Sequence, residues 1–384
     1  MTAAVARAPS ATQPAIHGDC DPAFAPVRRA FAENFASGEE VGAAVAVWRG
    51  ERLCVDLWGG HADAAGRPWQ RDTMVSMMSV AKGVLALCAH RLVERGALDL
   101  DAPVARTWPE FAAAGKGGVL VRHLLDHSAG LSAVDGPLPE GAACDWAFMT
   151  DALARTAPAA PPGVQRAYHP ITMGWLVGEV IRRVTGMTVG RMLATEIAAP
   201  YGIDYHIGVA DADLPRCADT LGDFAQTIFN GANDGSLGAR ALAMLPHTLL
   251  NTPAYRRAEL PSVNGIGTAR AIAKLYGLLA QPGGSPLLGA AALARATTLQ
   301  WEGPEATMGQ RRRMALGFIL GDPPHVPLGP NPRSFGHTGA GGALGFADPD
   351  AGIGFAYAPN RMHVGSPISP RLQRLVDALY VALR

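Results

Sequence analysis

Met74-Val75-Ser76-Met77-Met78-Ser79-Val80-Ala81-Lys82-Gly83-Val84-Leu85-Ala86-Leu87-Cys88 is the stretch on which the reading of this chain depends. It reads as a short loop feeding an apolar helix that continues to Arg95, with Gly96 as its stop. A helix apolar on every side is a buried one. Yet its first turn carries Lys82, three residues after Ser79, and positions three apart share one helix face. Burying a lysine is costly in the charged form, or pulls its pKa towards neutrality. An amine so depressed is the base that a serine nucleophile needs. The alternative is a lysine whose stem follows the helix and whose charge reaches water.

Composition sharpens the choice. Of the 33 Lys+Arg residues only Lys82, Lys116 and Lys274 are lysine. Arginine keeps its proton under all protein conditions, whereas lysine can release one. A lysine retained in a buried helix of an arginine-using chain points to deprotonation as its task.

Outward from this helix, 21–35 has the pattern of an amphipathic helix. Runs 41–48 and 53–58 are rich in valine and flank Arg49-Gly50-Glu51, a hairpin signature. From 98 to 289 the patterns are mostly helical, cut by proline and glycine loops, with 121–125, 173–184 and 270–279 as clear examples. Short strand-like runs follow at 314–320, 335–337, 343–347 and 353–358, the last two joined by a turn over 347–352, and an amphipathic helix closes the chain at 370–384. Strands at both ends with helices between them predict an α/β (α+β) fold. Its antiparallel sheet is built from both termini, flanked by helices, with a large mostly helical inserted domain. The expected division is a disordered tail at 1–20, a sheet-containing part formed by 21–75 with 305–384, and a mostly helical part at 76–304. The active site is expected at the junction.

A chain of 384 residues with 48% hydrophobic and 17% charged content can bury an ample core. Its formal charge of zero offers nothing to attract nucleic acid or anionic lipid. Cys20, Cys54, Cys88, Cys144 and Cys217 are scattered, with no C-x-x-C, which predicts free thiols in a reducing compartment. The N-terminus lacks a secretory h-region, and no apolar run reaches 18 residues. A cytoplasmic protein without a membrane span is the expectation.

Ser79 is placed where the free N–H groups and dipole of a helix start stabilise an oxyanion, its own N–H supplying half of the hole. The G-x-S-x-G motif is absent: Asp126-His127-Ser128-Ala129-Gly130 lacks the first glycine. No H-E-x-x-H, Walker A or strand-linked G-x-G-x-x-G occurs, so neither a metal nor a cofactor is expected. Tyr168-His169-Pro170 stands just before the helical pattern of 172–184. A tyrosine relays a proton when a nearby cation lowers its pKa. Phe335-Gly336-His337-Thr338-Gly339-Ala340-Gly341-Gly342 is a strand edge rich in glycine, a mark of close approach by a ligand or another backbone. In isolation, Tyr168 reads as a core or surface aromatic and His337 as a structural residue sooner than as functional ones.

Taken in order, Ser79-x-x-Lys82, Tyr168 and His337-Thr338-Gly339 resemble the three active-site elements of the serine β-lactamase and penicillin-binding-protein superfamily, most of all its class C branch. Val121-Arg122-His123-Leu124-Leu125-Asp126-His127-Ser128-Ala129-Gly130-Leu131 is similar to a further signature of that branch. Gly174-Trp175-Leu176-Val177-Gly178-Glu179-Val180-Ile181 and Pro261-Ser262-x-Asn264-Gly265-Ile266-x-Thr268-Ala269-Arg270 look like its family VIII carboxylesterases. The likeness covers roughly residues 25 to 365. Two departures stand out. Pro170 replaces the asparagine of Tyr-x-Asn, and His337 replaces the lysine of Lys-Thr-Gly; both lost groups help that family hold a β-lactam.

The resemblance implies a serine hydrolase acting on small-molecule carboxylic esters through an acyl-enzyme on Ser79. Lys82 takes the proton directly or through Tyr168, and His337 orients Tyr168 or the substrate. Ala340 by carry-over shares the oxyanion hole with Ser79, beside Gly339. An acyltransferase, a D-amino-acid amidase or a weak β-lactamase would fit the same scaffold, as would a penicillin-binding-type sensor that acylates once. Trp58, Trp146, Trp175 and Trp301 are candidates to line a pocket, and the loops 230–238 and 321–332 to rim it.

Overall fold

The computed structural model describes residues 15–222, 235–281, 284–323, 325–364 and 368–384. Among them, nine strands form one antiparallel sheet. In spatial order these are β1 (Ile16–Cys20), β3 (Arg52–Gly60), β2 (Gly42–Arg49), β12 (Ile353–Pro359), β11 (Leu344–Asp348), β10 (Phe335–Thr338), β9 (Ile319–Leu320), β8 (Arg311–Met314) and β7 (Trp301–Pro304). The C-terminal strand β12 lies against the N-terminal strand β2, Phe355 opposite Val47 and Tyr357 opposite Val45. The sheet is thus built from both ends of the chain.

Successive strand residues face opposite sides, and the two sides differ in kind. Val45, Val47, Phe346, Ile353, Phe355 and Tyr357 share one core with Phe31 of α1 (Ala25–Ala36) and with Leu372, Leu375 and Leu379 of the helix Pro370–Ala382. Each such large apolar side chain contributes about 1.5–3 kcal/mol by leaving water. The opposite side presents Ala46, Ala347, Ala356 and Ala358, and the helix Ala269–Leu279 packs there. Small residues let that helix approach closely. At Gly354 a Cβ would overlap the Ala273 carbonyl and the Gly277 backbone.

This second core continues into the helical part around α2 (Ala81–Glu94), buried from Ala81 to His90. Helix α5 (Met173–Thr185) packs against α2, and α3 (Val121–Leu125) and α4 (Trp146–Arg155) pack on α5. A small three-stranded sheet of β4 (Val75–Ser76), β6 (Gly265–Gly267) and β5 (Tyr205–Ile207) anchors the approach to α2. No described helix is long and apolar enough to cross a membrane.

Three elements depart from the sequence reading. Residues 16–20, expected within a disordered tail, form edge strand β1, which pairs with β3 from Ile16–Gly59 to Cys20–Val55. Its exposed residues, His17 and Asp19, are polar and alternate with half-buried Ile16, Gly18 and Cys20, the pattern of an edge rather than of a core strand. Residues 1–14 lie outside the described residues. β7 belongs to the sheet although 301–304 fell within the expected helical part; its Gly303-Pro304 end is a breaker signal that only an edge strand tolerates. The single run expected at 314–320 is two strands, separated where Ala315 N–H donates to Phe318 O (2.8 Å) and Gly317 takes a positive φ of 87°.

Candidate active site

Strand β4 delivers the chain to a one-turn 3₁₀ segment, Met78–Val80, and then to α2. Met78 occupies a left-handed conformation (φ 49°), uncommon for a long side chain. The turn is held by Met77 N–H on Gly265 O (3.0 Å) and Val80 N–H on Met77 O (3.2 Å). Ser79 is the half-exposed residue of this segment, between buried Met78 and Val80.

Lys82 is fully buried, which excludes the solvent-reaching alternative. Its Nζ lies 2.6 Å from Pro170 O, 2.9 Å from Ser262 O and 3.0 Å from Ser79 Oγ. This partner set suits a neutral amine. Two N–H groups donate to the carbonyls, and the lone pair accepts the Ser79 hydroxyl proton. Burial, reinforced by the Arg312 guanidinium, holds the Lys82 pKa well below the usual lysine value.

Tyr168 is buried; its hydroxyl lies 3.5 Å from His337 Nε2, and the Ser79 side chain acts to lower its pKa. His337 Nδ1–H donates to Thr338 O (2.6 Å), which fixes the tautomer and leaves Nε2 as an acceptor. Burial above all holds His337 well below the ordinary histidine value, so it stands neutral. Burial pushes the Tyr168 hydroxyl up to about 12, against the pull of Arg312.

The signature 121–131 supports Tyr168 from behind. His127 Nδ1 accepts the His169 N–H (3.1 Å), His169 Nε2 accepts the Leu131 N–H (3.1 Å), and Thr172 Oγ1 donates to Leu131 O (2.6 Å). His127 also packs its ring 4.7 Å from that of Tyr168, from a left-handed backbone (φ 64°). Glu305 fixes the other side, accepting the Tyr168 N–H at 2.8 Å. Asn264 braces the loop carrying the Ser262 carbonyl, with its Oδ1 accepting Leu260 N–H (2.9 Å) and its Nδ2 donating to Tyr255 O (2.9 Å).

The glycine-rich edge approaches from β10. At Gly339 a Cβ would overlap the Met77 carbonyl, so only glycine lets the strand end lie against the Ser79 turn. Ala340 follows, half-exposed, at the first position of the turn Ala340–Gly342, where N–H groups have no partner within the turn.

The structure therefore gathers Ser79, Lys82, Tyr168 and His337, with Gly339 packed on the same turn and Ala340 next to it. Sequence reasoning missed Arg312, whose guanidinium carbon lies 4.2 Å from the Tyr168 ring centroid. In Arg311-Arg312-Arg313 the period of two turns the middle residue inward, but three identical residues do not reveal which faces the core. The tryptophans belong elsewhere. Trp175 and Trp301 are core residues, Trp146 donates to Glu179 (2.8 Å), and Trp58 stacks on His17 at the β1 edge. The loop 321–332 packs Val326 and Leu328 into the core beside the C-terminal helix, and residues 230–234 lie outside the described residues.

The chain is similar to known proteins over nearly its whole length. "Esterase/beta-lactamase LipL" of Mycobacterium tuberculosis is 34% identical over 376 residues, which cover 90% of this chain and 83% of that protein. A crystal structure of a family VIII carboxylesterase superposes with a TM-score of 0.88 at 39% identity, over 96% of this chain and all of the other. A penicillin-binding-protein homologue from Caulobacter crescentus gives 0.87 at 37%, with the same coverage. Residues 27–378 match the β-lactamase family, from α1 to the C-terminal helix and including Ser79, Lys82, Tyr168, Arg312 and His337, and the chain belongs to that family.

Proposed function

We propose that this enzyme is a serine hydrolase that cleaves small-molecule carboxylic esters through an acyl-enzyme on Ser79. One observation carries the reading: the Ser79 hydroxyl lies 3.0 Å from a fully buried amine whose other partners are two backbone carbonyls. The Ser79 proton passes to the Lys82 lone pair, directly or through Tyr168, as Oγ attacks the ester carbon. The oxyanion is received by the N–H groups of Ser79 and Ala340, each such donor contributing about 3–4 kcal/mol. Collapse breaks the bond to the alkoxy oxygen, which takes its proton from Tyr168, and water then releases the acid by the reverse relay. The site lies at the junction of the sheet-bearing part (21–75 with 305–384) and the mostly helical part (76–304). Supporting this, Ser79, Lys82 and Tyr168 come from the second and His337, Gly339 and Ala340 from the first. Five cysteines without a disulfide fit a cytoplasmic setting.

Esters are favoured over β-lactams by the two replaced groups. Pro170 offers only a carbonyl, and Lys82 already occupies it. His337 stands neutral where a lactam carboxylate would call for a cation. Initial rates on p-nitrophenyl esters of increasing chain length, with nitrocefin alongside, test the reading. Short esters should turn over with a kcat/KM far above that for nitrocefin, and Ser79→Ala should be inactive yet folded. Comparable turnover of both substrates, or a phosphonate adduct on Ser76 or Ser128 instead of Ser79, overturns it.

A further inference from the structure

The mechanism needs a positive charge close to Tyr168, and the expected source does not provide one. His337 spends its Nδ1 proton on Thr338 O and faces the Tyr168 hydroxyl with a bare Nε2. Lys82 works as a base only once it is neutral. Around the ring, the ionisable neighbours are Lys82 from α2, His127 beyond α3, the adjacent His169, His337 from β10, Glu305 from the β7–β8 turn and Arg312 from β8. The three histidines are all held below their ordinary value, first by burial. Glu305 is committed to backbone N–H groups of Tyr168, Thr307 and Met308.

Arg312 is the exception. It is 9% exposed and stacks 4.2 Å above the Tyr168 ring. Its Nη2 donates to Gln310 Oε1 (2.8 Å), while its Nε is buried without a partner. Its neighbours in β8 are paired differently: Arg311 with Glu302 and Asp322, Arg313 with Glu302. No carboxylate of the described residues forms an ion pair with Arg312. A buried guanidinium with no counter-ion is costly, and arginine does not escape the cost by losing its proton.

We propose that Arg312 is the permanent cation of this centre, a positioning residue that acts through Tyr168 by holding a full charge against its ring, in place of the charge that His337 does not carry. The ring face offers the guanidinium partial compensation in the resting enzyme. When Tyr168 gives up its proton during the relay, the phenolate becomes the missing counter-ion. The same charge opposes protonation of Lys82, so it favours the base form of both groups at once. Burial of the guanidinium beneath the ring suits this role better than that of an anchor for an acidic substrate.

The inference rests on Ser79, Lys82 and Tyr168 forming the hydrolytic centre, so the test begins by labelling wild-type Ser79 with a fluorophosphonate; failure there removes the underlying reading. With labelling established, kcat/KM for the neutral ester p-nitrophenyl acetate is measured against pH for wild type, Arg312→Met, Arg312→Gln and Arg312→Lys. Loss of a cation at this range should move the rising limb of Arg312→Met and Arg312→Gln to higher pH by about one unit or more. At neutral pH that costs about tenfold in rate, carried by kcat rather than KM. Arg312→Lys, which keeps the charge, should return the limb most of the way to the wild-type position. A merely structural role changes the active fraction without moving the limb, and charge would not rescue it. An unmoved limb overturns the proposal. So does a defect confined to KM for mono-p-nitrophenyl succinate, which would make Arg312 a substrate anchor. Should Arg312→Met not fold, the comparison of Arg312→Lys with Arg312→Gln decides in the same way.

Discussion

Two buried lysines show how partner chemistry sets protonation at the scale of the residue. Lys116 is as inaccessible as Lys82, but its Nζ meets three carbonyls, of Ala113, Ala154 and Thr156, at 2.9, 2.9 and 2.5 Å. Three acceptors call for three protons, so Lys116 serves as a charged tie between loops. Lys82 exchanges one carbonyl for a hydroxyl that can donate, and a neutral amine satisfies every partner. Lys82→Arg is therefore expected to be as inactive as Lys82→Ala, each about a hundredfold to ten-thousandfold below wild type, because arginine keeps the charge but not the removable proton. Substantial ester turnover by the arginine variant would refute the role of Lys82 as base. His337 gives a prediction of opposite sign to that for Arg312. Since the native imidazole is neutral, the rising limb of kcat/KM against pH belongs to the Lys82–Tyr168 pair. A cation introduced by His337→Lys disfavours protonated Lys82 and favours the phenolate, so the limb should move to lower pH by about one unit. Superimposable pH profiles for wild type and variant would remove His337 from the site.

Strand β10 illustrates the scale of the element. Phe335 and Gly336 pair with β9, and Phe335 to Thr338 pair with β11, so its direction is set on both sides. That rigidity carries the strand end onto the Ser79 turn, where Gly339 leaves no room for a Cβ against Met77 O. Gly339→Ala must push either the strand or the turn aside. A loss of about 1–3 kcal/mol of stability is expected, with kcat falling by at least tenfold because the displaced turn carries the nucleophile. Urea melts together with single-turnover acylation check this, and an alanine variant with wild-type kcat would show that the contact does not position Ser79. A glycine inside a strand pattern already suggests a close approach in the sequence. The surface being approached does not appear there, because Met77 lies more than 250 residues away along the chain.

Across the whole molecule, the two chain ends are joined by more than strand pairing. Arg371, 2% exposed in the C-terminal helix, donates Nη1 to Glu40 Oε2 and to Glu39 O, both at 2.9 Å, and Nη2 to Arg361 O at 2.9 Å. Glu40 also accepts the Tyr357 hydroxyl of β12. Burial raises the Glu40 carboxyl and Arg371 lowers it. Removing one partner strands the other charge, so Arg371→Met should cost about 3–5 kcal/mol, and the double variant with Glu40→Gln should recover part of it. Equal urea midpoints for wild type and Arg371→Met would show that the pair contributes nothing. Local pattern determined much of this protein from the sequence alone. The apolar run after Ser79 requires a buried helix, the spacing of three puts Lys82 on the serine's face, and strands at both ends around a helical middle require a sheet closed by the termini. These rest on periods of two and 3.6 residues and on hydrophobicity, which neighbouring residues carry among themselves. Edge strands β1 and β7 lacked that signal, since an edge buries too little to need an apolar pattern. The tertiary structure alone decided which carbonyls surround Lys82, that His337 donates to Thr338 and so stands neutral, and that the middle of three arginines turns inward over Tyr168. Each of those outcomes depends on desolvation and on partners brought together from distant segments, and no residue carries that information in its own neighbourhood of the chain.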